Sequence, residues 1–219
     1  MTAGEIAERI RAALPRLPEP DRAAVESEVP TLVRYLALLL SASGRMNLVS
    51  SSAAHPLELV DRHLLDALFG LPLLPPAREG GGALLDVGSG GGFPALPLLI
   101  LRRDLRGTFV ESTGKKCRFL VEVLGELALT ADVVNARFPA SCLMQRPVRF
   151  DVFTSRAVAK AGLLVRAARP FLATGARALL WTTADLYPEV VRTSRCGTSE
   201  FHASPGAESR GIALLGCFT

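Results

Sequence analysis

Apolar side chains recur along the first 70 residues at helical spacing. In "AGEIAERIRAAL" (3–14), Ile6, Ile10 and Leu14 fall at i, i+4 and i+8, one stripe of an amphipathic helix. A longer stretch, 21–42, sets Val25, Val29, Leu32, Val33, Leu36, Leu39 and Leu40 on one side, and Pro30 within it predicts a break or kink. A third helix is predicted over "PLELVDRHLLDALFG" (56–70), opened by Pro56 and closed by Gly70. The Pro/Gly-rich "PLLPPAREGGG" (72–82) reads as a linker into a different architecture.

From residue 83 short apolar runs alternate with helical segments. Strands are predicted at 83–87, 108–111, 131–134, 150–154 and 176–181, and helices at 94–102, 115–128 and 160–171. That alternation implies an α/β fold with a mostly parallel, doubly wound sheet. "TSEFHA" (198–203) and "GIALLGCF" (211–218) predict a closing antiparallel pair. The expected organisation is a helical N-terminal segment over 1–75 and an α/β domain over 83–219.

Composition changes this picture little. The 219 residues are 49% hydrophobic and 21% charged, an ordinary globular balance. No apolar run approaches the ~20 residues of a membrane span. The first 30 residues mix acids and bases without an apolar signal core, so a cytoplasmic protein with no membrane contact is expected. Four scattered cysteines, with no CxxC and no histidine at zinc spacing, predict reduced thiols and no metal site.

Charge says more through its distribution than its total. Residues 1–111 carry 11 basic and 13 acidic side chains, whereas 112–219 carry 14 and 8. A net +6 on the second half suits a polyanionic partner.

The candidate chemistry begins at "DVGSGGGFP" (86–94), directly after the first predicted strand. The dinucleotide fingerprint G-x-G-x-x-G would need glycine where Phe93 stands. The chain instead reads acidic-x-G-x-G-x-G through Asp86, Gly88, Gly90 and Gly92, the loop of S-adenosylmethionine-dependent methyltransferases. Bare glycine backbone lets the methionine part of that cofactor lie against the turn, while Asp86 fixes the loop or, through water, the ammonium. Glu111 stands at the end of the next predicted strand, where a carboxylate accepts from both ribose hydroxyls. Loop, strand order and ribose acid together imply a class I, Rossmann-like methyltransferase domain.

The residues after strand four narrow the acceptor. An (Asp/Asn)-Pro-Pro-(Tyr/Phe) loop for exocyclic amines is replaced by "TSRAVAK" (154–160), and no Pro-Cys offers a nucleophile for pyrimidine C5. A lone-pair-rich acceptor such as guanine N7 needs no strong base. His63 and Asp66, three residues apart on one helix face, could hydrogen-bond; His63 is expected to anchor packing or contact RNA rather than serve as a base.

The pieces "SGRMNLVS" (43–50), "LVDRHLLDAL" (59–68), "LLDVGSGGGFPALPL" (84–98), "ESTGKKCRFLVEV" (111–123), "NARF" (135–138) and "TSRAVA" (154–159) resemble the bacterial small-subunit rRNA guanine-N7 methyltransferases, the glucose-inhibited division protein B family. The resemblance runs from about residue 30 to 183. It implies methyl transfer from S-adenosylmethionine to guanine N7 of 16S rRNA, in the loop near the decoding site, by a monomer acting on the rRNA or the 30S subunit. By the same resemblance Gly88 and Phe93 line the cofactor, Phe93 as an apolar wall, and Phe138 and Pro139 lie on the adenine side. Arg156 stands at the cofactor and substrate mouth as the catalytic candidate, and Lys115, Lys116, Arg137 and Arg210 lie near the RNA.

The chain departs from the family pattern in three places. Phe138-Pro139 replaces a Glu after the arginine, "WTTA" (181–184) replaces a Lys-Gly pair, and Ala67 replaces a serine. Pro139 has no N–H to offer an adenine. These changes keep two other readings open: a methyltransferase for another RNA or a small molecule, and an RNA-binding protein that has lost catalysis.

Overall fold

The computed structural model describes residues 2–44, 48, 56–144, 149–156 and 160–216. Parts of the segments 43–50, 154–159 and 211–218 quoted above therefore lie outside the described residues. Helix α1 (Ala3–Ala13) starts at a capping box, in which the Thr2 side chain accepts from the Glu5 N–H and the Glu5 carboxylate accepts from the Thr2 N–H. Helix α2 (Glu19–Ser43) runs through Pro30 without the expected break. Pro30 lies on the exposed face, while Val25, Val29, Leu32, Leu36 and Leu39 on the other face are buried. Their packing outweighs the hydrogen bond that proline removes.

The predicted helix 56–70 is not uniform. Helix α3 (Pro56–Leu59) passes through one π-helical stretch (Val60–Leu64) into α4 (Leu65–Leu68). From there the chain builds β1 (Gly82–Val87), α5 (Ala95–Leu101), β2 (Leu105–Glu111), α6 (Gly114–Glu126) and β3 (Ala131–Asn135). It continues with α7 (Ser141–Met144), β4 (Phe150–Arg156), α8 (Ala161–Ala168), β5 (Leu172–Thr183), α9 (Tyr187–Ser194), β6 (Thr198–Ser204) and β7 (Ala207–Gly216). Helices α7 and α9 were not expected; the closing pair β6–β7 was.

The sheet has seven strands in the order β3-β2-β1-β4-β5-β7-β6. The first five are parallel, and β7 runs antiparallel between β5 and β6. Alternation along the strands feeds two cores. Leu84, Phe109, Val152, Leu179 and Ile212 face one side with α5, α6 and all the N-terminal helices. Leu85, Val110, Phe153, Leu180 and Ala213 face the other with α8 and α9. The helical segment 1–75 is thus a layer of the same core as the sheet. Strand order reverses between β1 and β4, and such a switch point opens a crevice at the carboxyl ends of the strands.

Candidate cofactor and substrate site

The glycine loop sits in that crevice. Gly88, Gly90 and Gly92 have φ of +77°, +55° and +102°, conformations that side chains disfavour. At Gly92 a Cβ would also stand 2.2 Å from Leu96 Cδ1, so the turn and α5 approach too closely for any larger residue. The loop is tied down from three directions. The Gly88 N–H donates to the Val110 carbonyl at 2.9 Å, the buried Tyr35 hydroxyl of α2 donates to the Gly91 carbonyl at 2.8 Å, and the Gly90 N–H donates to Glu111 Oε2 at 2.9 Å. Tyr35 carries no signal of this role in the sequence, where it reads as one more member of an apolar stripe.

Glu111 accepts from the Thr113 N–H at 2.8 Å through its other oxygen. Burial raises its pKa, but the Thr113 and Gly90 hydrogen bonds and the nearby Lys116 charge prevail, and the carboxyl stays below its ordinary value. It is therefore a preorganised carboxylate at the end of β2, the position expected for a ribose acid.

Asp86 behaves in the opposite sense. Its Oδ1 accepts from the Thr154 hydroxyl at 2.6 Å, whereas buried Oδ2 has no partner among the described residues. Burial pushes its pKa up to about 7 against the lowering effect of Thr154 and Ser89, and Glu111 adds to the rise. A native carboxyl that holds its proton between pH 4 and 7, while the unfolded one ionises near 3.8, makes stability fall as pH rises across that window. Asp86→Asn is therefore expected to gain thermal stability over wild type progressively from pH 4 to 7 and hold a constant gain above it. A pH-independent difference in melting temperature would refute this assignment. A carboxyl oxygen left unpaired beneath a bare glycine turn, with an ionised carboxylate one strand away, fits a polar cofactor that brings an ammonium, whose charge favours the ionised form of Asp86, and a ribose. Asp86, Gly88, Gly90 and Glu111 are the residues that would hold it.

Phe93 is 6% exposed, and its ring packs against Tyr35 at 5.3 Å and His63 at 5.4 Å between centroids. It is turned toward the N-terminal helices and fastens the loop to them, with little surface left to wall a cofactor. Phe138 turns its ring toward Phe153 and Phe171 in the second core, leaving Pro139 exposed beside it.

Arg156 lies at the carboxyl end of β4, as expected, but its guanidinium is already engaged. It donates to the carbonyls of Arg62 and His63 in the π-helical stretch and stands 3.7 Å from Asp66. Through these contacts Arg156 joins the sheet to the helix at the carboxyl end of β4. A π-helical turn aims carbonyls away from regular partners, and here the half-buried Arg156 donates to two of them. Asp66 is also 3.3 Å from Arg210, and the Trp181 indole donates to its main-chain carbonyl at 2.8 Å. Trp181, which replaces a Lys-Gly pair, lies so close to Gly70 that a Cβ there would be 2.6 Å from its ring. His63 makes no hydrogen bond to Asp66 among those described. Burial, with Arg156, Arg210 and Arg62 nearby, lowers its pKa to about 3.

Lys115 and Lys116 open α6 after β2, Arg137 follows β3, and Arg210 faces Thr183 at the end of β5. All stand along the edge that carries the glycine loop. Lys115 and Arg137 are exposed, Lys116 and Arg210 half-buried. From β3 to β7 this edge spans five strand spacings, about 24 Å.

A family model described as GidB, rRNA small subunit methyltransferase G, matches residues 28–200. A ribosomal RNA small subunit methyltransferase G of Sorangium cellulosum is 43% identical over 148 residues, 67% of this chain and 60% of its own length. One of Acidiphilium cryptum is 34% identical over 184 residues, 84% of this chain and 82% of its own. The chain thus spans less than two thirds of the first relative and most of the second. Among solved structures, a T. thermophilus 16S rRNA N2 methyltransferase in complex with AdoMet and guanosine superposes at a TM-score of 0.54 with 18% identity, over 69% of this chain and 43% of that one. A precorrin-6y C5,15-methyltransferase of Geobacter metallireducens superposes at 0.53 with 14% identity, over 78% and 90%. At those identities the likeness is one of fold, the Rossmann-like methyltransferase fold.

Proposed function

This chain belongs to the rRNA small subunit methyltransferase G (GidB) family, and we propose that it methylates guanine N7 of 16S rRNA, in the loop near the decoding site, with S-adenosylmethionine as donor. The observation that carries the reading is the unpaired Asp86 carboxyl and the ionised Glu111 on either side of the glycine turn. S-adenosylmethionine supplies a sulfonium methyl; the chain supplies position. Glu111 holds the ribose and, through Gly90, the shape of the turn. Lys115, Lys116, Arg137 and Arg210 offer phosphate contacts, which give affinity and register more than base choice.

The side chains around the mouth favour a nucleophile whose lone pair is available without loss of a proton. Among the described residues, His63 is too weakly basic to take a proton near neutrality, Asp66 is paired with two arginines, and Glu111 is held ionised below its ordinary pKa, which makes it a weak base. Guanine N7 loses no proton on methylation, so alignment is the main requirement. A cytoplasmic monomer acting on the rRNA or the 30S subunit completes the reading.

Incubating purified protein with radiolabelled S-adenosylmethionine and either naked 16S rRNA or 30S subunits, followed by nucleoside mass spectrometry, tests it. Label in N7-methylguanine is expected. Cofactor binding without labelled RNA would move the acceptor to another RNA or a small molecule. No binding heat with the cofactor would favour an RNA-binding protein without catalysis.

A further inference from the structure

A cavity of about 290 Å³ lies beyond Asp66, between the end of α1 and the turn that joins β6 to β7. Arg9, Arg16 and Arg210 face it together with Asp61, Asp66 and Ser204. Arg9, Arg16, Ser204 and Arg210 fall outside residues 28–200, so the cavity is built largely by segments that the family model does not match. It opens on the same sheet edge as the glycine loop, on the β5–β7 side, where Ser204 ends β6 and Ala207 begins β7.

The charges in this cavity do not cancel. Arg9 is held by Asp61 through two hydrogen bonds of 2.8 and 2.6 Å, and Asp66 is shared by Arg210 and Arg156. Arg16 makes no ion pair among the described residues and is exposed. Its turn is nevertheless fixed. The Arg22 guanidinium donates to the carbonyls of Leu17 at 2.7 Å and Pro15 at 3.2 Å, on either side of Arg16. Three arginines against two carboxylates around one polar cavity leave a positive charge over, and a guanidinium without an ion-pair partner offers the fork of donors that a phosphate accepts.

We propose that this cavity seats a backbone phosphodiester of the RNA substrate, gripped by Arg16 with Arg9 and Arg210, so that the N-terminal helix is part of the RNA-binding surface. This rests on the RNA reading above. It extends the basic edge beyond Arg210 by the width of the β6–β7 turn, and it assigns to the strand one phosphate on the far side of the site from Lys115 and Arg137.

The test measures anisotropy of a short labelled single-stranded RNA across a salt series, with wild type, Arg16→Ala and Arg106→Ala. Arg106 is exposed at the start of β2, the opposite edge of the sheet, so its variant loses the same charge elsewhere. Arg16→Ala is expected to weaken RNA binding about fivefold and to reduce the slope of log K against log salt by about 0.7. Arg106→Ala should do neither, and calorimetric affinity for S-adenosylmethionine should stay the same in both variants. Equal effects of the two substitutions would overturn the proposal, as would a change in binding of AMP but not of RNA, which would make the cavity a free-nucleotide site. If wild type methylates neither rRNA nor 30S subunits yet the Arg16-specific loss persists, the rRNA function fails while the phosphate seat stands.

Discussion

Arg156→Met is expected to lower stability by about 2–4 kcal/mol, the cost of leaving two helix carbonyls without their donor and Asp66 with one arginine in place of two. For a chain of this size that is a fall in melting temperature of roughly 10 °C. Arg156 and Asp66 have side chains only 15% and 9% exposed, and burial works against the charge on each: the Asp66 carboxyl is raised and the Arg156 guanidinium lowered from their ordinary values. Removing the arginine strips two helix carbonyls of a donor and leaves Asp66 with Arg210 alone. Adding Asp66→Asn should restore part of the loss, because a buried charge that has lost one of its two arginines disappears with it. Thermal or urea unfolding of the two single variants and the double variant measures this coupling. Additive losses, with no recovery in the double variant, would separate the two residues and remove Arg156 from its positioning role.

The second large effect is expected at Glu111. Glu111→Gln keeps the shape of the side chain but loses the charge that hydrogen bonds to ribose hydroxyls and backbone N–H groups rely on. Hydrogen bonds to a charged group contribute about 1.5–3 kcal/mol each. Losing two on the ribose side lowers affinity for S-adenosylmethionine by roughly 100-fold or more. An amide nitrogen facing the Gly90 or Thr113 N–H also loosens the turn, since donor then meets donor. Calorimetric titration reads the affinity, and circular dichroism shows that the fold persists. A variant that binds the cofactor within fivefold of wild type would show that Glu111 serves the loop alone.

Local signals made the framework of the fold legible. Period-two and period-3.6 patterns placed the five parallel strands and most helices, and the glycine spacing placed the turn that needs three positive φ values. Glu111 could be found because its distance from Asp86 is set by one strand–helix–strand unit. The remainder depends on partners far apart in the chain. Nothing near Arg156 shows that its guanidinium reaches carbonyls more than 90 residues earlier, and nothing near Trp181 shows that it fills a gap above Gly70. Phe93 and Phe138 illustrate the same limit. Each stands next to the expected site in sequence, but neighbouring aromatic rings turn both toward the core. Pro30 misled for another reason: a proline on the solvent side of a long helix costs less than the burial beneath it is worth.

The core shared by the N-terminal helices and one face of the sheet has a consequence for how the protein is made. Ile6, Ile10, Leu36 and Leu39 belong to the same apolar cluster as Leu179, Trp181 and Ile212, which leave the ribosome more than 130 residues later. Helices α1 and α2 pack on each other, and α2 on α5 and α6, whereas the part of the cluster around Leu179, Trp181 and Ile212 closes only with the later strands. The cluster is completed by contacts of high sequence separation, which form slowly. Until those strands pair, the uncovered part of the cluster is apolar surface of the kind that holding chaperones bind and that aggregates when they are scarce.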